Sequence, residues 1–173
     1  MHRYGHYGTA LIVYAPLLAV LLSIGYRGMA ILGGVLMISG AMVPDFDMRV
    51  PFLTHRGFTH TVWFALLFGA LVGVAFVALG QLRGIVVSVQ YGVFGAIVGT
   101  LTILAHVLAD ALTPMGVRPF RPLADTSYSL GITTAANVIA NNILLGLGLV
   151  ATLLAFVVGI DLAAALPGFV DRW

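Results

Sequence analysis

Five long apolar runs leave this chain few options outside a lipid bilayer. They cover residues 7–25, 31–43, 61–80, 85–112 and 132–160. A helix needs about 20 apolar residues to cross the hydrocarbon core. Only 8% of the 173 residues are charged, against roughly 25% in a soluble domain, and mean hydropathy is +1.09. The expected fold is all-α: a polytopic transmembrane helix bundle of about five spans, in one domain over residues 1–173. Arg3, the first run and Ser23-Ile24-Gly25 resemble a cleavable signal peptide. The run is long for one, however, and leads straight into another span, so it is expected to stay.

Charge and cysteine usage exclude several classes. The chain has no Cys, which rules out disulfides and thiolate metal sites. Its eight basic residues are all Arg, scattered along the chain, with a net charge of +2. No basic run exists for nucleic acid to meet. The second apolar run is short, near about 20 Å at about 1.5 Å per residue. It should end at or below the headgroups and carry Asp45 and Asp47 inward. Residues 113–130 read as a polar loop, with Pro114, Pro119 and Pro122 ending the helix before it. Gly69-x-x-x-Gly73 and Gly95-x-x-x-Gly99 mark close packing between spans three and four.

Against this oily background three short segments stand out: Pro44-Asp45-Phe46-Asp47, His55-Arg56-Gly57-Phe58-Thr59-His60 and His106-Val107-Leu108-Ala109-Asp110. Ionisable residues near a bilayer are costly and tend to mark function. Carboxylates and imidazoles are the ligand set for Zn, Mn or Fe. His106 and Asp110 are one helical turn apart and share a face. Asp45 and Asp47 repel unless a cation lies between them or one is protonated. Gly57 allows the backbone to fold back so that His55 and His60 converge, and Thr59 can cap span three. Arg56 lies between the two imidazoles and suits a phosphate oxygen. His6 opens span one. With five spans, His6, Asp45, Asp47, His55, His60, His106 and Asp110 all fall on one membrane face. Each has a bland alternative: a His–Asp hydrogen bond between helices, an Asp47–Arg49 pair, or headgroup contact. Asn137 and Asn141 share one side of span five, where interhelical hydrogen bonding is the simpler account.

Orientation rests on arginine. Arg3, Arg49, Arg56, Arg118 and Arg121 fall on one side, and Arg27, Arg83 and Arg172 on the other. Five against three places the N-terminus and the site in the cytoplasm.

In this order the segments resemble the LexA-regulated, inner-membrane-bound metal-dependent hydrolases of bacteria and archaea. The resemblance covers residues 6–131: His6, Pro44–Asp47, His55–His60, His106–Asp110, and the Thr113-Pro114…Gly116 turn. Thr61 stands where that family often has Ser. The resemblance implies a multi-pass hydrolase of the plasma (inner) membrane.

Seven candidate metal ligands exceed the three or four that one catalytic zinc takes. Either two divalent ions bind, with Asp45 or Asp47 as the bridge, or some of the seven only orient the others. Asp47 and Arg56 are the candidate catalytic residues, Arg56 acting on developing negative charge. A site at the headgroup level suggests an amphiphilic small-molecule substrate, a phosphoester or another lipid-linked compound. The alternative is a metal transporter, or a sensor whose ion is structural. Ligands at helix ends, not at the midplane, argue against transport. A bis-histidine haem on His6 and His106 is a further alternative. The oligomeric state is open.

Overall fold

The computed structural model describes residues 1–82 and 89–165. Arg83, Arg172 and the first residues of the expected fourth span lie outside them. Among the described residues, five α-helices follow one another: α1 Arg3–Ser23, α2 Arg27–Gly40, α3 Val62–Leu82, α4 Val89–Ala111 and α5 Val138–Ala165. Two 3-10 turns, Pro44–Arg49 and Phe58–His60, lie between α2 and α3. Among the described residues there is no strand; one isolated bridge joins Val117 to Tyr128. All five helical segments are long and apolar enough to cross a membrane, the second taken as Arg27–Arg49 with its 3-10 turn.

α1 and α4 supply the interior. Tyr14, Leu18 and Leu22 of α1 pack with Phe94, Val98 and Ala105 of α4 in one apolar core. α5 covers α1, α3 covers α4, and α2 leans on both α1 and α4. α3 and α5 expose most of their apolar side chains, as helices facing lipid should.

Without a hydrophobic drive between helices in lipid, close backbone approach must hold the bundle. The two glycine pairs read from the sequence do join α3 to α4. A Cβ at Gly99 would lie 2.9 Å from the Gly69 Cα. The same device joins α1 to α5, where a Cβ at Gly8 would lie 2.3 Å from the Leu144 backbone. Gly8 and Gly148 are not in a four-residue repeat on one helix, so local spacing gave no sign of them. Gly99→Leu should therefore lower the melting temperature in detergent by the equivalent of about 1–3 kcal/mol, the cost of overpacking. Gly146→Leu, where a side chain meets nothing, should leave it unchanged. Equal melting of both variants would refute the packing account.

Several expected boundaries shift: α1 starts at Arg3 and not 7, α2 ends at Gly40 and not 43, and α5 runs on to Ala165 past 160. The second span starts at Arg27, earlier than 31, because a terminal Arg can carry its charge outward on an apolar stem. The fifth helix starts at Val138, not at 132, because Asn137 caps it by accepting the Ala140 N–H.

Candidate metal centre

The centre is assembled where the helices stop. Pro44 has no N–H and cannot continue the α2 ladder. The chain tightens into a 3-10 turn that turns Asp47 inward and leaves Asp45 partly exposed. The Ala41 carbonyl, free of the ladder, accepts from His106 Nδ1 at 2.7 Å. A carbonyl can only accept, so His106 carries its proton on Nδ1 and presents a bare Nε2.

Asp47 organises the next segment. Its Oδ2 accepts from the Arg56 backbone N–H at 3.1 Å and the Thr59 hydroxyl at 2.9 Å, and its Oδ1 lies 3.0 Å from His55 Nδ1. The same Oδ2 is 3.4 Å from His60 Nδ1, which is also 3.0 Å from the Thr59 hydroxyl oxygen. The Thr59 proton is already committed to Asp47, so its oxygen accepts and His60 Nδ1 donates. His60 then also presents a bare Nε2. The expected capping role of Thr59 falls instead to Thr61, whose Oγ1 accepts the Phe64 N–H at 3.2 Å. Asp47 outcompetes the helix end for the Thr59 hydroxyl, and His60 lies in the 3-10 turn before α3. The reversal of the chain also differs in detail. Arg56, with φ 58°, takes the left-handed conformation, while Gly57 is needed because a Cβ there would lie 2.6 Å from the Thr54 carbonyl oxygen.

The outcome is a knot of acceptors. His60 Nε2 and His106 Nε2 are 3.2 Å apart. Asp45 Oδ1 lies 3.5 and 3.3 Å from them, and Asp110 Oδ2 lies 3.5 and 3.7 Å from them. These four ligand atoms fall within 4.8 Å of one another, the span of a metal site. Asp110 Oδ2 is buried with no hydrogen-bond partner. With both rings neutral, two bare ring nitrogens and two carboxylate oxygens face one another and repel, and the donor set fits Zn, Mn or Fe.

The remaining candidates surround this group. His6 stacks on His106, with ring centroids 3.8 Å apart; its Nε2 is 3.6 Å from Asp110 and 3.9 Å from Asp45, and its Nδ1 is buried without a partner. Asp47, His55 and His60 form a second group of three, which shares His60 with the first. His55 is 38% exposed. Arg56 reaches across to α4: Nη2 pairs with Asp110 Oδ1 at 2.9 Å, while Nη1 donates to Thr113 Oγ1 and the Gly116 carbonyl. Asp110 Oδ1 also meets the Met1 amino group at 2.5 Å. Buried Asn141 accepts the His2 N–H and donates to the Ala135 and Asn137 carbonyls, holding α1 against α5. The turn Thr113-Pro114-Met115-Gly116 pointed to Thr113, but the Ala41 carbonyl is a part sequence reasoning did not place, because nothing marks a backbone carbonyl in advance.

Burial disfavours a charged His60, but the Asp110 and Asp45 carboxylates 3.5 Å from its Nε2 and the charge of Asp47 outweigh it and raise its pKa. A proton then competes with a metal for Nε2. The raised pKa keeps that proton in place to a higher pH than an ordinary imidazole would, so metal affinity should fall as pH drops. Zinc titrations between about pH 8 and about pH 5 should show this loss together with proton release on binding; a flat affinity would contradict the donor set.

These features define a polytopic membrane protein with a buried His–Asp cluster at one end of its helices. The chain belongs to the YdjM inner membrane protein family, whose profile matches residues 1–167. No curated protein and no solved structure matches it.

Proposed function

We propose that the protein is a metal-dependent hydrolase that holds one divalent ion on Asp45, His60, His106 and Asp110 and cleaves a phosphoester carried on an amphiphile. The observation that carries this reading is the convergence of two ring nitrogens and two carboxylate oxygens within 4.8 Å of one another. When bound, such an ion supplies Lewis acidity and an activated water. The chain's own residues do the rest. Asp47 and the Ala41 carbonyl fix the tautomers of His60 and His106. Arg56 leaves its buried Nε–H unpartnered beside the cluster, a donor available for negative charge. Asp45 is the least buried of the four ligands and marks the approach for substrate. The loops around the site carry exposed apolar side chains, Phe52 at 95%, Leu123 at 78% and Met115 at 71%. Those side chains suit a headgroup boundary more than water, which favours an amphiphile.

The second group, Asp47 with His55 and His60, offers room for another ion, but Asp47 already satisfies three donors there. One ion per chain is the expected stoichiometry. A second reading has its own support: His60, His106 and Asp110 are almost fully buried, as in a closed structural site. Metals per chain by mass spectrometry, with turnover of a panel of phosphate mono- and diesters, separate the two. Metal with no turnover of any ester would favour the structural ion, and a metal-free protein would defeat both.

The site and the N-terminus are expected on the cytoplasmic side. The chain has no native Cys, so a single Cys at exposed Met48 reports sidedness. Membrane-impermeant maleimide should label it only after cells are opened. Labelling from outside intact cells would reverse the orientation.

A further inference from the structure

A pocket opens beside the cluster and shares Arg56 with it. It has a volume of about 250 Å³ and is lined by Thr54, His55, Arg56, Arg118, Arg121 and Ser127, among others. Its size is below that of pockets that enclose whole drug-sized ligands, roughly 300–1,000 Å³, and suits one headgroup. Three guanidiniums share it. Arg56 is matched by Asp110. Arg118 and Arg121 both lean on a single carboxylate, Asp125. Among the described residues, one of those two cations is therefore left without a counter-charge of its own.

The walls are fixed in place. Gly116, with φ 63°, turns the chain out of α4, and a Cβ there would lie 2.6 Å from the Tyr128 carbonyl oxygen. Val117 and Tyr128 exchange backbone hydrogen bonds, and Phe120 packs on Tyr128 edge to face. The Pro119 carbonyl accepts the Val62 N–H at the start of α3. The Arg56 Nε–H, buried and without a partner, belongs to a side chain that lines this pocket. Planar guanidinium forks grip phosphate oxygens in pairs.

We propose that this pocket is a phosphate-binding subsite, in which Arg118 and Arg121 hold an anionic phosphate group and Arg56 connects it to the metal centre. The inference deepens the hydrolase reading, because Arg56 touches both the pocket and Asp110. It makes Arg118 and Arg121 the residues that select substrates with a phosphate group. The phosphate comes either from a lipid headgroup or from a free phosphate compound.

The full chain, as purified in a maltoside detergent, would be titrated calorimetrically with inorganic phosphate. A second titration would use a dioctanoylglycerol phosphonate, whose C–P bond resists hydrolysis. Wild type should bind at least one of the two saturably. The double variant Arg118→Ala/Arg121→Ala should bind about tenfold or more weakly, and Arg121→Lys, which keeps the charge and loses the fork, should fall between. Arg49→Ala, an exposed arginine outside the pocket, should match wild type. Tighter binding of the phosphonate than of phosphate would identify a lipid source; equal or weaker binding would identify a free phosphate compound. Absence of saturable binding to wild type, or equal binding by the double variant, would overturn the subsite. The arginine variants leave the four ligand residues untouched. Failure here therefore leaves the metal reading standing, and a metal-free protein that still binds phosphate through Arg118 and Arg121 would defeat only the metal reading.

Discussion

His106→Ala and Asp45→Ala should each strip the bound metal and abolish phosphoester hydrolysis together. Each removes one of four ligand atoms, and neither is supported by a neighbour that could take its place. His6 stacks on the His106 ring at 3.8 Å, so its plane lies parallel to the lost imidazole and does not occupy the same position. Its Nε2 already lies 3.1 Å from the Met1 carbonyl oxygen. Asp47 cannot replace Asp45, because its oxygens are held by Arg56, Thr59 and His55. An ion left with three donors is held loosely or lost, and a loosely held ion cannot orient a water. Loss of metal should appear in mass spectrometry of the same preparations used for turnover. Asp47→Asn provides the contrast. It keeps the shape but weakens the partner that fixes the His60 tautomer, and such losses typically cost about 10–100-fold in metal affinity. It should bind metal weakly where His106→Ala binds none. Full metal and full activity in His106→Ala would end the ligand assignment.

The helices were legible because the bilayer imposes a single rule on every span, and length with hydropathy is enough to apply it. Boundaries were less so. The N-cap at Asn137 and the start at Arg27 depend on a local hydrogen bond and on a snorkelling side chain, neither of which hydropathy measures. The convergence of His60, His106, Asp45 and Asp110 could be anticipated, since few residues in this chain are ionisable and all of these flank spans on one face. What the sequence could not show was which of seven neighbours face inward and which stand behind. Asp45 and Asp47 look alike in Pro44-Asp45-Phe46-Asp47. The 3-10 turn separates them by aiming Asp45 at His106 and Asp47 at His60 Nδ1, Thr59 and the Arg56 N–H. The role of the Ala41 carbonyl was beyond reach, because it follows from where α2 stops. The basic pocket was hidden for a similar reason: Arg118 and Arg121 are 62 or more positions from Arg56 in sequence and meet it only through the fold of the loop after α4.

Arg56→Ala should keep the metal and lower the rate of hydrolysis about 10²–10³-fold, the typical worth of one donor aimed at developing negative charge. A guanidinium has no lone pair for an ion, so the four ligand atoms survive the change. The backbone survives too, because Asp47 is held by the Arg56 N–H and not by its side chain. What disappears is the fork that joins Asp110, Thr113 and the Gly116 carbonyl. Lysine, a point charge without that fork, should restore little. Removing one partner of a buried ion pair typically costs about 3–5 kcal/mol when the other charge is left without compensation, and the cost is smaller here because the Met1 amino group stays on Asp110 Oδ1. A bound cation on Asp110 Oδ2 would supply that compensation. The variant should therefore melt near wild type when loaded with metal and below it after chelation, a dependence that a purely structural arginine would not produce. Metal content, melting with and without chelator, and kcat measured apart from KM test the three claims separately. Wild-type turnover in Arg56→Ala, or loss of its metal, would remove Arg56 from the reaction and leave it a strut between α4 and the loop before α3.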